Sequence, residues 1–254
     1  MSGRPLILVH GVGLDRHMWD RFLAAYPGRR DVVTYDLIGM GDAPKPAGPY
    51  SLSMYSAQLA GVADAAAGPG GRVDVAGFSL GALVAQRFAV DFPERLGRLF
   101  LLNSVFDRTD AERSAIRARV VEVRAGAYAS TIEPAIERWF TPDFAAAHPG
   151  VVDAIRSRML ANAVEPYACA YSVFAEGDAE LAPLTGRIIA PTLVITGADD
   201  QRSTPEMTRR LGDAIPGARA VVVPAVRHLL PVEEPGVLAE LIGGFDPRPE
   251  DSDD

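Results

Sequence analysis

Short apolar segments alternate with longer segments of helical periodicity along most of this chain. The short segments are apolar on both faces, which is typical of strands buried in a parallel sheet with helices on either side. The sequence therefore predicts an α/β fold with a mostly parallel sheet of about six strands. The predicted strands are residues 6–9, 32–35, 73–76, 99–102, 191–196 and 220–223, and the predicted helices are residues 16–26, 51–67, 80–91, 205–214 and 232–242.

The alternation of strands and helices is interrupted once, between residues 107 and 183. This segment contains no strand-like run, and it is rich in Arg and Ala with prolines that divide it into short stretches. It predicts a helical lid, inserted into an α/β core formed by residues 1–106 and 184–246. The last residues, 247–254, are acidic and broken by prolines, so we expect a disordered tail there.

The composition narrows the classes of function. Hydrophobic residues make up 48% of the 254 residues, and the formal net charge is −8. A protein this acidic gains no general attraction to phosphate backbones or to anionic lipids. No apolar run approaches the roughly 20 residues that a membrane-spanning helix needs. We therefore expect no nucleic-acid partner and no association with a membrane.

The cysteine content bears on redox chemistry and on location. Cys169 is the only cysteine in the sequence. A single cysteine excludes an intrachain disulfide and a cysteine cluster for zinc or iron–sulfur, and it suits a reducing compartment. Because the first residues also show no signal-peptide pattern, we expect a cytoplasmic protein. The sequence leaves the oligomeric state open.

The strongest chemical signal is the run Gly77-Phe78-Ser79-Leu80-Gly81, which lies between a predicted strand and a predicted helix. In that context the pattern is typical of a nucleophile elbow, a strained turn that holds a serine hydroxyl above the sheet. The glycines leave room for the strand and the helix to pack closely. The alternative is a small-residue turn without chemistry, but the flanking elements favour a nucleophilic serine.

A serine nucleophile needs a general base, and histidine is the usual choice. His228 follows the last predicted strand, so its side chain is delivered to the sheet edge at which Ser79 emerges. His17 falls in the first predicted helix, and His148 falls in the insertion beside a Pro-Gly pair. We therefore predict that His228 is the base.

The base in turn needs a carboxylate that fixes its tautomer. Asp199 and Asp200 both follow the predicted strand 191–196. The chain order Ser79, Asp200, His228 matches the serine–acid–histidine order of this fold class, so we predict Asp200. Asp199 is an alternative, as is Asp107, which follows the predicted strand 99–102.

An acyl-transfer site also requires hydrogen-bond donors for the developing oxyanion. The backbone N–H of Leu80 is one candidate, because it follows the nucleophile directly. The second candidate is the N–H of Val12 in the glycine-rich loop after the first strand. We expect His10 to hydrogen-bond within that loop. A dinucleotide site is disfavoured because the loop lacks the third glycine of that motif.

As a set, these motifs resemble those of the α/β-hydrolase superfamily over nearly the whole chain. The matching segments are the oxyanion loop 10–13, the turn 36–41, the elbow 77–81, the acid loop 197–200 with Pro205 and Glu206, and the loop of His228 with Glu233 and Pro235. There are two departures. The usual two-stranded hairpin before the first strand is missing, and Ala43 stands where a serine is common.

Parts of the insertion resemble the lid of the 3-oxoadipate enol-lactonase and small carboxylesterase group. They are the runs Arg138-Trp139-Phe140-Thr141-Pro142, His148-Pro149 and Pro166-Tyr167-Ala168-Cys169. The resemblance implies a serine hydrolase that acts on a small-molecule ester or lactone, with neither a metal nor an organic cofactor. Carbon–carbon bond hydrolases and cofactor-free haloperoxidases of the same fold are alternatives, and a catalytically silent ligand-binding protein is an alternative of another class.

The substrate pocket is expected between the elbow and the lid. Its predicted wall consists of Phe78, Val105, Arg138, Trp139 and Phe140. Most arginines of the lid have acidic residues near them in sequence, which predicts solvated ion pairs. Arg138 differs because two aromatic residues follow it. The resemblance to enol-lactonases implies a substrate that carries a carboxylate, and we expect Arg138 to bind that carboxylate.

Overall fold

A six-stranded parallel sheet forms the centre of the structure, a computed structural model that describes residues 3–28 and 30–246. The strands are β1 (Leu6–Val9), β2 (Val32–Tyr35), β3 (Val73–Phe78), β4 (Leu96–Leu102), β5 (Thr192–Gly197) and β6 (Arg219–Val223). Their spatial order is β2-β1-β3-β4-β5-β6, and every neighbouring pair is parallel. The predicted α/β fold is thus confirmed. The predicted tail, residues 247–254, lies outside the described residues.

Helices connect the strands and cover both faces of the sheet. The core helices are α1 (Asp20–Ala25), α2 (Leu52–Ala67) and α3 (Leu80–Asp91) before the insertion, and α9 (Pro205–Ala214), α10 (Leu230–Glu233) and α11 (Pro235–Gly244) after it. Strands β1, β3 and β5 are buried along their whole length, as their lack of alternation predicts. No helix in the described part of the chain has the length and apolar character of a bilayer span.

The described residues between β4 and β5 contain helices and no strand. We call residues 107–183 the cap segment. Its helices are α4 (Asp110–Glu122), α5 (Ile132–Trp139), α6 (Pro142–Ala147), α7 (Pro149–Leu160) and α8 (Val164–Leu181). Helix α8 packs against both α3 and α4, so it connects the cap segment to the core.

A buried ion pair attaches the first residues of the cap segment to α8. The backbone N–H of Arg108 donates to Asp178 Oδ2 over 2.7 Å, and Arg108 Nη2 donates to Asp178 Oδ1 over 2.6 Å. Both side chains are almost completely buried. Removal of one partner from such a pair leaves an uncompensated charge in the interior, so the pair specifies how the cap segment leaves β4.

The helix predicted over residues 232–242 is wrong in its extent. The structure has two helices there, α10 and α11, separated at Glu234, whose φ is −124° and ψ is 58°. Pro235 is the physical reason, because proline lacks an N–H donor and disfavours helical geometry in the preceding residue. The break allows His228 and α10 to lie against the cap segment while α11 packs on the core.

Candidate active site

Ser79 occupies a strained turn between β3 and α3. Its φ is 54° and its ψ is −113°, a combination that residues with a Cβ rarely adopt. A Cβ on Gly77 would lie 2.1 Å from the Gly81 carbonyl oxygen, and one on Gly81 would lie 2.3 Å from the Val9 oxygen. The two glycines therefore permit the close packing that holds Ser79 in this turn.

His228 and Asp200 form a buried hydrogen-bonded pair. The distance between His228 Nδ1 and Asp200 Oδ2 is 2.7 Å. Because a carboxylate only accepts, Nδ1 donates and Nε2 is left as the acceptor nitrogen of a neutral ring. Burial opposes ionisation of Asp200, but its electrostatic interaction and hydrogen bond with His228, together with donors from Arg202 and Asn103, outweigh burial and lower the pKa of Asp200.

The two alternative acids do not contact His228. Asp199 is exposed, and its backbone N–H donates to the Val226 carbonyl over 2.9 Å. Asp107 is also exposed, and its carboxylate lies 3.5 Å from Arg210. Of the three acids that the sequence offered, the structure brings Asp200 to the histidine.

Asn103 is a site residue that the sequence analysis missed. Its Nδ2 donates to Asp200 Oδ2 over 2.9 Å and to Thr196 Oγ1 over 3.2 Å. Asp200 Oδ1 accepts from the backbone N–H groups of Arg202 and Ser203 at 2.9 and 3.0 Å. Asn103 has a φ of 48°, which asparagine tolerates better than most residues. Its position just after β4 was the available sequence signal.

The loop after β1 lies against the elbow. A Cβ on Gly11 would be 2.9 Å from the Phe78 ring and 3.3 Å from the Ser79 Cβ. The backbone N–H groups of Val12 and Leu80 have no hydrogen-bond acceptor among residues 3–28 and 30–246. They are therefore available to an acceptor atom of a substrate.

His10 shapes this loop, as the sequence predicts. Its Nδ1 lies 2.8 Å from the Gly11 carbonyl oxygen, and its Nε2 accepts the Leu37 backbone N–H over 2.9 Å. Burial lowers the pKa of His10, in spite of its hydrogen bond to Gly11 and the nearby Asp36. A neutral His10 with both nitrogens engaged connects the loop to the turn after β2.

A cavity of about 180 Å³ lies between the sheet edge and the cap segment. Ser79, His228, Asp200 and Val12 line it from the core. Other residues in its wall are Val105, Arg108, Glu112, Ala115, Ile116, Arg119, Thr131, Ala135, Arg138, Trp139, Met159, Tyr167, Tyr171, Phe174, Gln201, Arg202, Ser203, Thr204 and Met207. No cluster of three or more potential metal ligands occurs within the described residues.

Three of the five predicted pocket residues, Val105, Arg138 and Trp139, are part of this wall. Phe78 and Phe140 are not, because both rings are buried in contacts of their own. The Phe78 ring packs beside the His228 ring at 4.9 Å between centroids. The Phe140 ring stacks on the Phe144 ring of α6 at 5.4 Å between centroids.

Comparison with known proteins assigns this chain to a family. The sequence model of the alpha/beta hydrolase fold matches residues 4–235. The chain belongs to the α/β-hydrolase fold family. Both the sheet and the order of Ser79, Asp200 and His228 along the chain agree with that membership.

Similar proteins include several hydrolases. The chain is 30% identical over 247 residues to the (E)-2-((N-methylformamido)methylene)succinate hydrolase of Acinetobacter baylyi, covering 92% of this chain and 87% of the relative. It is 30% identical over 235 residues to 3-oxoadipate enol-lactonase 2 of the same organism, covering 92% and 85%. A malate-bound structure of a thermophilic esterase from Thermogutta terrifontis superposes with a TM-score of 0.87 and 29% identity, covering 96% of this chain and 89% of that one.

The histidine loop of this α/β hydrolase is hydrogen-bonded to the end of α5. The Leu229 backbone N–H donates to the Trp139 carbonyl over 3.1 Å, and Arg227 Nη1 donates to the Phe140 carbonyl over 2.9 Å. The Trp139 ring lies 6.0 Å from the His228 ring. The position of the histidine therefore depends on the cap segment as well as on the core.

Glu233 makes a third connection between the same two segments. Its carboxylate accepts the Thr141 hydroxyl over 2.7 Å and the Thr141 backbone N–H over 3.2 Å. Burial raises the pKa of Glu233, although the hydrogen bonds of Thr141 and the charge of Arg227 partly oppose that effect. The folded hydrolase therefore binds a proton at Glu233 more tightly than the unfolded chain does.

This difference predicts how a Glu233→Gln variant responds to pH. An unfolded Glu titrates near a pKa of about 4.3. Because the pKa of Glu233 is higher in the folded state, wild-type stability falls as the pH rises from the unfolded value through the folded one. Glutamine still accepts from Thr141 but does not titrate. We expect the melting temperature of Glu233→Gln, relative to wild type, to increase between pH 4 and pH 7.

Thermal unfolding at pH 4, 5.5 and 7 measures this difference. Glu234→Gln is the matched control, since Glu234 is the exposed neighbour of Glu233 in the sequence. The melting temperature of Glu234→Gln relative to wild type should stay constant over these pH values. If the melting temperature of Glu233→Gln relative to wild type stays constant or declines between pH 4 and pH 7, the raised pKa of Glu233 in the folded state is contradicted.

Proposed function

We propose that this α/β hydrolase cleaves a small carboxylic ester or lactone through a Ser79–His228–Asp200 triad and an acyl-enzyme. The observation that carries the proposal is the 2.7 Å hydrogen bond between His228 and Asp200 at the cavity that Ser79 also lines. It leaves His228 Nε2 as an acceptor in the cavity where a substrate carbonyl can reach the serine. Serine hydrolases require a base of this kind.

In the first half of the reaction Ser79 Oγ attacks the substrate carbonyl carbon while His228 Nε2 takes the hydroxyl proton. Asp200 stays ionised and stabilises the imidazolium that forms. The N–H groups of Val12 and Leu80 bind the oxyanion of the tetrahedral intermediate. When that intermediate collapses, the bond to the leaving oxygen breaks and His228 returns the proton to it. In a lactone the leaving hydroxyl stays attached to the acyl group.

In the second half water replaces the serine. His228 Nε2 removes a proton from water as its oxygen attacks the acyl carbonyl carbon. The second tetrahedral intermediate uses the same two N–H donors. Its collapse breaks the bond to Ser79 Oγ, which recovers its proton from His228. The products are a carboxylic acid and an alcohol, or a single hydroxy acid from a lactone.

The Ser79 hydroxyl and His228 are not hydrogen-bonded to each other in the structure. Such bonds are often long without a substrate and become shorter in the reacting complex. The neutral tautomer imposed by Asp200 supports the base role, since Nε2 is then the nitrogen without a proton. The relatives support an ester or lactone as substrate, because one is named as an enol-lactonase and a structural neighbour is named as an esterase.

Initial rates on a panel of short-chain p-nitrophenyl esters and small enol-lactones test the proposal. We expect saturable hydrolysis that is lost in Ser79→Ala. Turnover of a 2-hydroxy-6-oxo-dienoate without ester or lactone turnover would instead identify a carbon–carbon hydrolase. Peroxide-dependent halogenation alone would identify a haloperoxidase. Ligand binding without any turnover would identify a silent binding protein.

A further inference from the structure

The eight arginines of the cap segment fall into three groups. Arg108 forms the buried ion pair with Asp178, five others pair with acids at the surface, and the last two make no ion pair within the described residues. The residues paired at the surface are Arg113 with Asp110, Arg117 with Glu176, Arg124 with Glu165, Arg156 with Glu133 and Asp153, and Arg158 with Asp15. The unpaired residues are Arg119 and Arg138, and both line the cavity beside Ser79.

A third cationic side chain joins these two from the core. Arg202 follows the acid loop two residues after Asp200, lines the same cavity and makes no ion pair in the described part of the chain. The three arginines come from three separate elements, α4, α5 and the loop after β5. Their convergence therefore follows from the tertiary fold and not from local sequence.

Electrostatic effects at neighbouring groups show that these charges act on one region. Burial lowers the pKa of Arg138, and the charges of Arg119 and Arg202 lower it further. The Tyr171 hydroxyl, also in the cavity wall, experiences the charges of all three. Arginine stays protonated under any ordinary condition, so this repulsion can only be relieved by an anion.

The charge of Arg108, which also lines the cavity, is already compensated. Its Nη2 donates to Asp178 Oδ1 over 2.6 Å, and its side chain is 2% exposed. Its Nε and Nη1 have no acceptor among residues 3–28 and 30–246 but are buried. In the part of the chain that the structure describes, the positive charges at the cavity that have no acid partner are therefore those of Arg119, Arg138 and Arg202.

The acids in the cavity wall do not neutralise these charges. Glu112 accepts the Thr109 backbone N–H over 2.7 Å and the Thr109 hydroxyl over 2.9 Å. Asp200 is bonded to His228 and Asn103. Each carboxylate is thus held by other groups, and neither forms an ion pair with Arg119, Arg138 or Arg202.

We propose that the substrate carries two carboxylates in addition to its scissile ester or lactone carbonyl, and that Arg119, Arg138 and Arg202 bind them. The inference rests on the proposed function, because the triad supplies the position of the scissile carbonyl. A single carboxylate would leave most of the converging positive charge uncompensated. Two carboxylates compensate two of the three positive charges and offer acceptors for forked N–H donors.

A series of p-nitrophenyl esters that differ in charge tests this specificity. The butyrate ester is neutral, the hydrogen succinate ester carries one carboxylate, and the mono-ester of tricarballylate carries two. kcat/KM is measured for wild type and for Arg119→Gln, Arg138→Gln and Arg202→Gln. Arg117→Gln is the matched control, because Arg117 lies on the same helix as Arg119 but pairs with Glu176.

We expect wild type to prefer the dianionic ester over the neutral one. For each cavity variant we divide kcat/KM for the dianionic ester by kcat/KM for the neutral ester. This ratio should be about 10-fold or more lower than in wild type. The ratio for Arg117→Gln should match that of wild type. A wild-type preference for the neutral ester, or equal losses on all three esters, would overturn the proposal.

Binding of tricarballylate to the Ser79→Ala protein, measured by calorimetry, separates this inference from the proposed function. If no ester is hydrolysed but tricarballylate binds and Arg138→Gln weakens that binding, the hydrolytic proposal fails while the anion site stands. If esters are hydrolysed but tricarballylate does not bind, the anion site is wrong. Tighter binding of inorganic phosphate than of tricarballylate would also contradict a dicarboxylate site.

Discussion

Ser79→Ala is expected to reduce kcat/KM by a factor on the order of 10⁴ or more. Alanine keeps the Cβ and the same strained turn, so the protein should fold and only the nucleophilic oxygen is lost. His228→Ala should show a loss of similar size. In that variant the Asp200 carboxylate still accepts hydrogen bonds from Asn103, Arg202 and Ser203. Because its charge stays hydrogen-bonded, we expect the His228→Ala protein to fold.

The losses in these two variants should not add. Nucleophile and base act as one unit, so the Ser79→Ala/His228→Ala double variant should be about as slow as either single variant. Initial rates on a p-nitrophenyl ester measure the effect, with circular dichroism and melting temperature as controls for folding. Near-wild-type activity in purified Ser79→Ala would rule out a serine mechanism.

Asp200→Asn is expected to reduce kcat on the order of 10³- to 10⁴-fold, whereas Asp199→Asn should stay close to wild type. An amide at position 200 can donate to His228 Nδ1 and favour the tautomer that carries its proton on Nε2, which cannot accept the serine proton. Asp199 is exposed and does not contact the histidine. The two adjacent substitutions are therefore a matched pair.

Steady-state kinetics on one ester decides between the two acids. If Asp199→Asn loses activity and Asp200→Asn keeps it, the acid loop adopts a different register when substrate is bound. If neither substitution matters, Asp107→Asn is the next variant to measure, since Asp107 follows β4 at the same edge of the sheet.

The parallel sheet could be predicted because its signals are local. Each buried strand is a short apolar run, and the elbow glycines mark the one place where β3 and α3 must pack closely. The pairing of His228 with Asp200 was also predictable, since loops that leave the carboxyl ends of parallel strands meet at one edge. The helix-breaking effect of Pro235 is also local, and it divides the helix predicted over residues 232–242 into α10 and α11.

The features that sequence reasoning missed depend on tertiary contacts. Asn103 contacts Asp200 across 97 residues of chain, so its position just after β4 indicates the edge of the sheet but not the bond to Asp200. Arg119 looks like its neighbours in the sequence until the fold shows which arginines have acid partners, whereas the aromatic residues after Arg138 already distinguish that arginine. Phe78 and Phe140 are aromatic residues near the site, but their burial beside His228 and Phe144 keeps both out of the cavity wall.

The central claim is that Ser79 is an activated nucleophile. The most direct measurement is the intact mass of the protein after treatment with a fluorophosphonate, followed by peptide mapping of the modified residue. We expect a single adduct on Ser79 in wild type, much slower labelling in His228→Ala and none in Ser79→Ala. An adduct on another residue, or an unmodified wild type that still hydrolyses esters, would contradict the account.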